Sequence, residues 1–303
     1  MKGALAVERL GDTRCQVGES PLWAGAEQAL YWVDIEGRRL HRCEPRSGAA
    51  RQWAFGERLA CLALHGAGGL LCALESTLVH AVPGADASPP AAAVAGVAHA
   101  REGMRFNDGR CDRAGRFWVG SMVMDMALAQ PAGVLYRFDG KVPVPVLDGL
   151  LVPNGLGFSP DGRTMYLSDS HPAAQRIWAF DLDDEGLPSQ RRLFVDMRQH
   201  PGRPDGAAVD AEGCYWTCAN DAGLVHRFTP QGRLDRSIAV PVSKPSMCAF
   251  GGPRLDELYI TTIRPAAAAG TAEAELAGAT FVCRPGVQGL AETPFAAAGT
   301  AVH

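Results

Sequence analysis

Two of the three asparagines in the chain, Asn107 and Asn154, fall at matching points of an internal repeat that also places Glu19 and Asp205. Two carboxylates with one or two amide oxygens form a hard, oxygen-only donor set, suited to Ca²⁺, Mg²⁺ or Mn²⁺ and less specifically to Zn²⁺. Such a set leaves coordination positions for water and a substrate oxygen, the arrangement of a Lewis-acid hydrolase site. The same stretches are also turn signals, because Asn154-Gly155, Asp205-Gly206 and Asn107-Asp108-Gly109 combine residue types that tolerate positive φ. Glu19, in Gly18-Glu19-Ser20-Pro21, is a poor turn former at the same register and favours the ligand reading.

The elements that must position these residues emerge from the repeat. Six strand-like segments align: Leu30 to Asp34, Leu70 to Leu74, Phe117 to Ser121, Met165 to Asp169, Tyr215 to Ala219 and Leu258 to Thr262. With Tyr31, Leu71, Trp118, Tyr166, Trp216 and Tyr259 as register residues, the intervals are 40, 47, 48, 50 and 43 residues. Gly-, Asp- and Pro-containing turns precede each segment, as in Pro160-Asp161-Gly162. Further strands follow, most clearly Gly133 to Asp139, Arg176 to Asp181 and Gly223 to Phe228. Each unit is a β-meander without an amphipathic helix, and this period matches radial repetition.

The expected fold is therefore all-β, a six-bladed β-propeller of four-stranded antiparallel blades, with residues 1–303 as one domain. A large sandwich or two small barrels does not predict such a period. Ring closure should combine N- and C-terminal strands in one blade, and the stretches Pro83 to Ala98 and Pro265 to Ala279 read as surface insertions. Counting back 12 residues from Tyr31 and Tyr166, or 11 from Trp118 and Trp216, reaches Glu19, Asn154, Asn107 and Asp205. The remaining repeats put Leu59 or Ala60, and Met247 or Cys248, at that place. These positions start the first strand of each blade, which lines a propeller's channel, so they should meet at the axis.

A net charge of −4 with 47% hydrophobic and 20% charged residues describes a soluble globular chain without a basic footprint for nucleic acid or anionic membrane. Glu8, Arg9 and Asp12 precede any apolar stretch long enough for a signal peptide, so a cytoplasmic protein is expected. The nine cysteines read as reduced, mostly buried thiols, and Cys214 and Cys218 are too far apart for compact zinc ligation. Serine-hydrolase, metalloprotease-helix, P-loop and dinucleotide motifs are absent. His171 and His200 fall in top-face loops, in reach of a substrate or simply solvated.

Gly18-Glu19-Ser20-Pro21-Leu22-Trp23, Trp32-Val33-Asp34-Ile35, Arg105-Phe106-Asn107-Asp108-Gly109, Pro153-Asn154-Gly155, Ser159-Pro160-Asp161-Gly162 and Pro204-Asp205-Gly206 together resemble the senescence marker protein (regucalcin)/gluconolactonase family, from about Gly18 to Thr262. The resemblance implies a propeller that hydrolyses sugar lactones with one divalent cation in its channel: Ca²⁺, Zn²⁺, Mn²⁺, Mg²⁺ or Fe²⁺, with Ca²⁺ or Zn²⁺ foremost. It assigns Glu19, Asn154 and Asp205 as metal ligands, and Arg105 and Asn107 as substrate contacts. The acidic residue that the family places after Gly120-Ser121-Met122 corresponds to Asp125, where family members carry Glu. On this reading Asp205 is also the catalytic base, the partner is a small-molecule sugar lactone, and the protein is a monomer or weak homo-oligomer. The competing readings are a propeller hydrolase of phosphotriesters or aryl esters, and a non-enzymatic calcium-binding propeller.

Overall fold

Each repeat folds into a four-stranded antiparallel meander, and six such sheets make up the propeller. The computed structural model describes residues 5–265 and 271–296. The blades are numbered here by their innermost strands in chain order: Gly18–Ala24, Cys61–Leu64, Met104–Cys111, Pro153–Phe158, Arg203–Val209 and Pro245–Gly251. All six aligned segments lie in second strands. Those strands read as continuous apolar runs because both faces are covered by neighbouring blades; Ala29–Asp34, Phe117–Val123 and Tyr215–Asn220 are buried at every position.

The core lies between blades. Trp23 of the first blade stacks on Tyr259 of the sixth, with ring centroids 5.7 Å apart. Trp216 of the fifth meets Phe250 of the sixth edge-on at 5.8 Å. The ring closes as the sequence predicts: the N-terminal strand Glu8–Leu10 pairs antiparallel with Thr280–Cys283 and completes the sixth blade.

The two expected insertions turn out differently. Within the Pro83 to Ala98 stretch, Ala91–Gly96 forms the outermost strand of the second blade, paired with Thr77–Ala81. Its alanines carry no strand signal of their own. The ladder and an exposed edge position allow it. Of the Pro265 to Ala279 stretch, residues 266–270 lie outside the described residues, and the remainder contains a short helix, Ala272–Leu276, capped by Thr271 Oγ1.

A final segment crosses the end of the channel away from Glu19, Asn154 and Asp205. Ala211 N donates to Gln288 O, Phe295 N to Leu64 O and Ala296 N to Gly115 O, so the segment ties the fifth blade to the second and third. Arg110, on the third blade's innermost strand, pairs with Glu292 of this segment at 3.6 Å. Among the described residues, no helix is long and apolar enough to cross a membrane.

Candidate metal centre and substrate pocket

The six innermost strands touch their neighbours around a closed ring. Cross-strand pairing fixes which residues share a level. Taking the residue three positions before the partner of each register residue gives Glu19, Ala60, Asn107, Asn154, Asp205 and Ser246. Four are the residues counted from the sequence. In the sixth blade, however, the position is Ser246 rather than Met247 or Cys248, because Ala249 and its partner Tyr259 are 10 residues apart where the other blades use 8 or 9. Ser246 is buried, and its Oγ donates to Gly18 O.

In five blades the ladder slips at this row, between Glu19 and Leu22, Phe106 and Gly109, Asn154 and Gly157, Pro204 and Ala207, and Pro245 and Cys248. A bulge inserts an extra residue and re-aims the side chain beside it. The Asn-Gly and Asp-Gly pairs therefore mark bulges within strands, not hairpin turns. Gly155 takes φ +61°, and a Cβ there would lie 2.5 Å from Tyr215 Oη. Gly206 serves close approach instead, since a Cβ would meet the Met247 Cγ at 2.3 Å.

The expected ligands come together. Asn154 Nδ2 donates to Asp205 Oδ1 at 2.5 Å, and Asn154 Oδ1 accepts from Gly155 N at 3.0 Å. Glu19 accepts from Ser20 N at 3.3 Å and keeps part of its surface open. Desolvation, reinforced by the charges of Asp205 and Asp108, pushes the Glu19 carboxyl well above the usual range. Desolvation likewise pushes Asp205 up, to about 7. Arg105 offsets Glu19 only in part. Carboxylates that are desolvated and repel one another form the charge pattern a divalent cation relieves. Glu19, Asn154 and Asp205 therefore fit such an ion as an all-oxygen donor set.

Arg105 and Asn107 adjoin each other, Arg105 Nη1 donating to Asn107 Oδ1 at 2.8 Å and to Phe106 O at 2.7 Å. Asn107 Nδ2 donates to Pro153 O at 3.0 Å, linking the third blade to the strand that carries Asn154. Asp125 stands apart: it is exposed, and its Oδ1 accepts from Ala127 N at 3.1 Å, capping the 3-10 turn Met126–Leu128. His171 is not a solvated loop residue. It is buried, and its Nε2 lies 3.0 Å from Met126 O, fastening that turn to the fourth blade. His200 is half-buried, its ring edge-on to Phe228 at 5.1 Å.

Two residues of the cluster escaped the sequence reading. Asn220, the third asparagine, donates to Asp205 Oδ2 at 2.6 Å. It ends a second strand, outside the repeat row, so no spacing pointed to it. Asp108 is buried, with Oδ2 accepting from Leu156 N at 2.9 Å and Oδ1 without a partner. Its place in an Asn-Asp-Gly run disguised it as a turn residue.

The pattern described as the SMP-30/Gluconolactonase/LRE-like region matches residues 17–264. The chain is 40% identical over 292 residues to the 6-deoxy-6-sulfogluconolactonase of Pseudomonas putida, covering 92% of this chain and 95% of that protein. It is 35% identical over 260 residues to the pentonolactonase of Haloferax volcanii, covering 85% of each. Among solved structures, the calcium-binding protein regucalcin of Agrobacterium tumefaciens superposes with a TM-score of 0.88 at 27% identity, covering 97% of this chain and 98% of that one.

Proposed function

The chain belongs to the SMP-30/gluconolactonase/LRE-like family, and on that premise we propose that it hydrolyses a sugar lactone to the aldonic acid at the end of the channel bearing Glu19, Asn154 and Asp205. The observation that carries this reading is the row of desolvated oxygen donors beside the Arg105/Asn107 pair.

A divalent cation held by Glu19, Asn154 and Asp205 supplies Lewis-acid polarisation of the lactone carbonyl. Asp205 takes a proton from the attacking water as the new C–O bond forms. It returns a proton to the ring oxygen as the acyl C–O bond breaks, so the ring opens to a carboxylic acid and a hydroxyl. Arg105 and Asn107 hold sugar hydroxyls and fix the carbonyl over the base. Asp125, on the rim, contacts the distal end of the sugar.

The test is proton release on a panel of five- and six-carbon aldonolactones, including a C6-sulfonated gluconolactone, with an aryl ester and a phosphotriester as comparators. Chelator-treated protein is resupplied in turn with Ca²⁺, Zn²⁺, Mn²⁺, Mg²⁺ or Fe²⁺. Turnover confined to lactones and restored by a cation is expected; no lactone turnover with any cation overturns the reading.

A further inference from the structure

The seam between the ring-closing N-terminal segment and the first blade buries a second donor cluster, built from residues the channel does not use. Cys15, Asp34 and His41 are all buried, and their sulfur, carboxylate oxygen and ring nitrogen lie within 4.8 Å of one another. Cys15 lies on the stretch leading from strand Glu8–Leu10 of the sixth blade to strand Gly18–Ala24 of the first. Asp34 ends the first blade's second strand, and His41 pairs with Trp32 from the third.

The repeat separates what is ordinary here from what is not. Asp34 accepts from Gln16 N and Val17 N at 2.9 and 3.0 Å, and in the fourth blade Asp169 accepts from Leu151 N and Val152 N at the same two distances. The capping role therefore recurs. The positions equivalent to Cys15 and His41 are Leu150 and Trp178 in the fourth blade, so capping requires neither a thiol nor an imidazole.

His41 is only 4% exposed, and its Nε2 has no hydrogen-bond partner. A buried imidazole nitrogen left in that state calls for an explanation. Burial lowers the His41 pKa to about 4, so the ring is neutral near pH 7 and a nitrogen lone pair is free to ligate. Burial holds the Cys15 thiol up at about 12, so it stays protonated until a cation displaces its proton. The Trp32 indole N–H faces the Cys15 sulfur and favours its thiolate.

We propose that Cys15, Asp34 and His41 form a metal site for zinc or a cation of similar softness, which pins the ring-closing segment to the first blade. One sulfur, one nitrogen and one oxygen ligand are typical of zinc, at about 2.3 Å for sulfur and about 2.0–2.2 Å for the others. The three donor atoms, within 4.8 Å of one another, would have to draw together to reach those distances. Binding releases the thiol proton to solvent, and one tetrahedral position remains for water.

The test is a Co²⁺ titration of chelator-treated full-length protein. Cobalt bound to a thiolate gives charge-transfer absorption in the near ultraviolet, whereas the channel donors contain no sulfur. The expected band saturates at one equivalent and vanishes in Cys15→Ser. It needs tenfold or more cobalt in His41→Asn, which retains the thiol should Cys15→Ser fail to fold. It persists in Asp205→Asn, so its outcome is independent of lactone turnover. A missing band in the wild type, or an unchanged one in both Cys15→Ser and His41→Asn, overturns the proposal.

Discussion

Asn220 Nδ2 donates to Asp205 Oδ2 at 2.6 Å from the end of the fifth blade's second strand, while Asn154 holds the other carboxylate oxygen. Both oxygens of Asp205 are thus oriented by amides from two blades. Asn220→Leu removes one of them and leaves Oδ2 buried without a partner. Outer partners of this kind contribute about 10- to 100-fold to metal affinity or activity. The expected result is a loss of that size in kcat and in cation affinity, with KM for the lactone little changed. Unchanged kcat and cation affinity would show that Asn220 does not position the base.

Asp205 and Glu19 share a cation in the proposed site but differ in chemistry. Asp205→Asn removes the proton acceptor, for a loss of about 10²- to 10⁴-fold that saturating cation does not restore. Glu19→Gln keeps the base and loses one ligand charge, so raising the cation concentration should recover much of its turnover. Measured as kcat against cation concentration, identical behaviour of the two variants would remove the special role of Asp205.

Arg105 and Asp125 differ in burial, and kinetics should separate them. Both bonds, to Phe106 O and Asn107 Oδ1, come from Arg105 Nη1, so a lysine ammonium that filled them would offer a sugar hydroxyl no second nitrogen of the planar guanidinium. Arg105→Lys should raise KM for lactones tenfold or more. Asp125→Ala loses a cap worth about 0.5–2 kcal/mol in the surveyed range. If Asp125 also touches the sugar, its KM effect should differ among lactones with different distal hydroxyls; a uniform KM across the panel would reduce it to the cap.

The propeller was legible in the sequence because its second strands are buried on both faces and carry aromatic register residues between Gly- and Asp-rich turns. The shared level of Glu19, Asn107, Asn154 and Asp205 was legible where the hairpin was of ordinary length, and Ser246 was lost where it was longer. Ala91–Gly96 was lost because an edge strand made of alanines owes its form to the ladder beside it. Asn220 and Asp108 were hidden for a different reason: each acts through a contact between neighbouring strands or blades, and no linear spacing records such a contact.

His226 links the fifth blade's outer strands to the loop before Asp205. Its Nδ1 lies 2.8 Å from Ser237 Oγ and its Nε2 3.0 Å from Pro201 O, with the His200 ring 6.1 Å away. Burial lowers its pKa below the ordinary histidine value, and the neighbouring His200 adds to this. The folded state thus favours the neutral ring. Its contribution to stability is complete above the unfolded value of about 6.5 and is lost as pH falls below it. His226→Gln should flatten that part of the melting-temperature profile between pH 7 and 5 on the scale of about 1 kcal/mol per pKa unit; an unchanged slope would show that other groups carry it.

Gly206 tests whether the channel's narrowness is itself functional. A Cβ at this position would sit 2.3 Å from Met247 Cγ, 2.4 Å from its Cβ and 2.8 Å from its backbone Cα, so the sixth blade's inner strand must move to admit it. Overpacking of this kind costs roughly 1–3 kcal/mol. The residue follows Asp205 directly at the bulge, so the movement also displaces the carboxylate, and misplacing a catalytic group by about 1 Å can cost about 10²-fold. Gly84 is a suitable control, since a Cβ there meets nothing within 4 Å. Gly206→Ala should lower both the melting temperature and kcat, while Gly84→Ala changes neither. A Gly206→Ala variant with wild-type stability and turnover would mean that the inner strands adjust freely, and that the bulge alone does not set the position of Asp205.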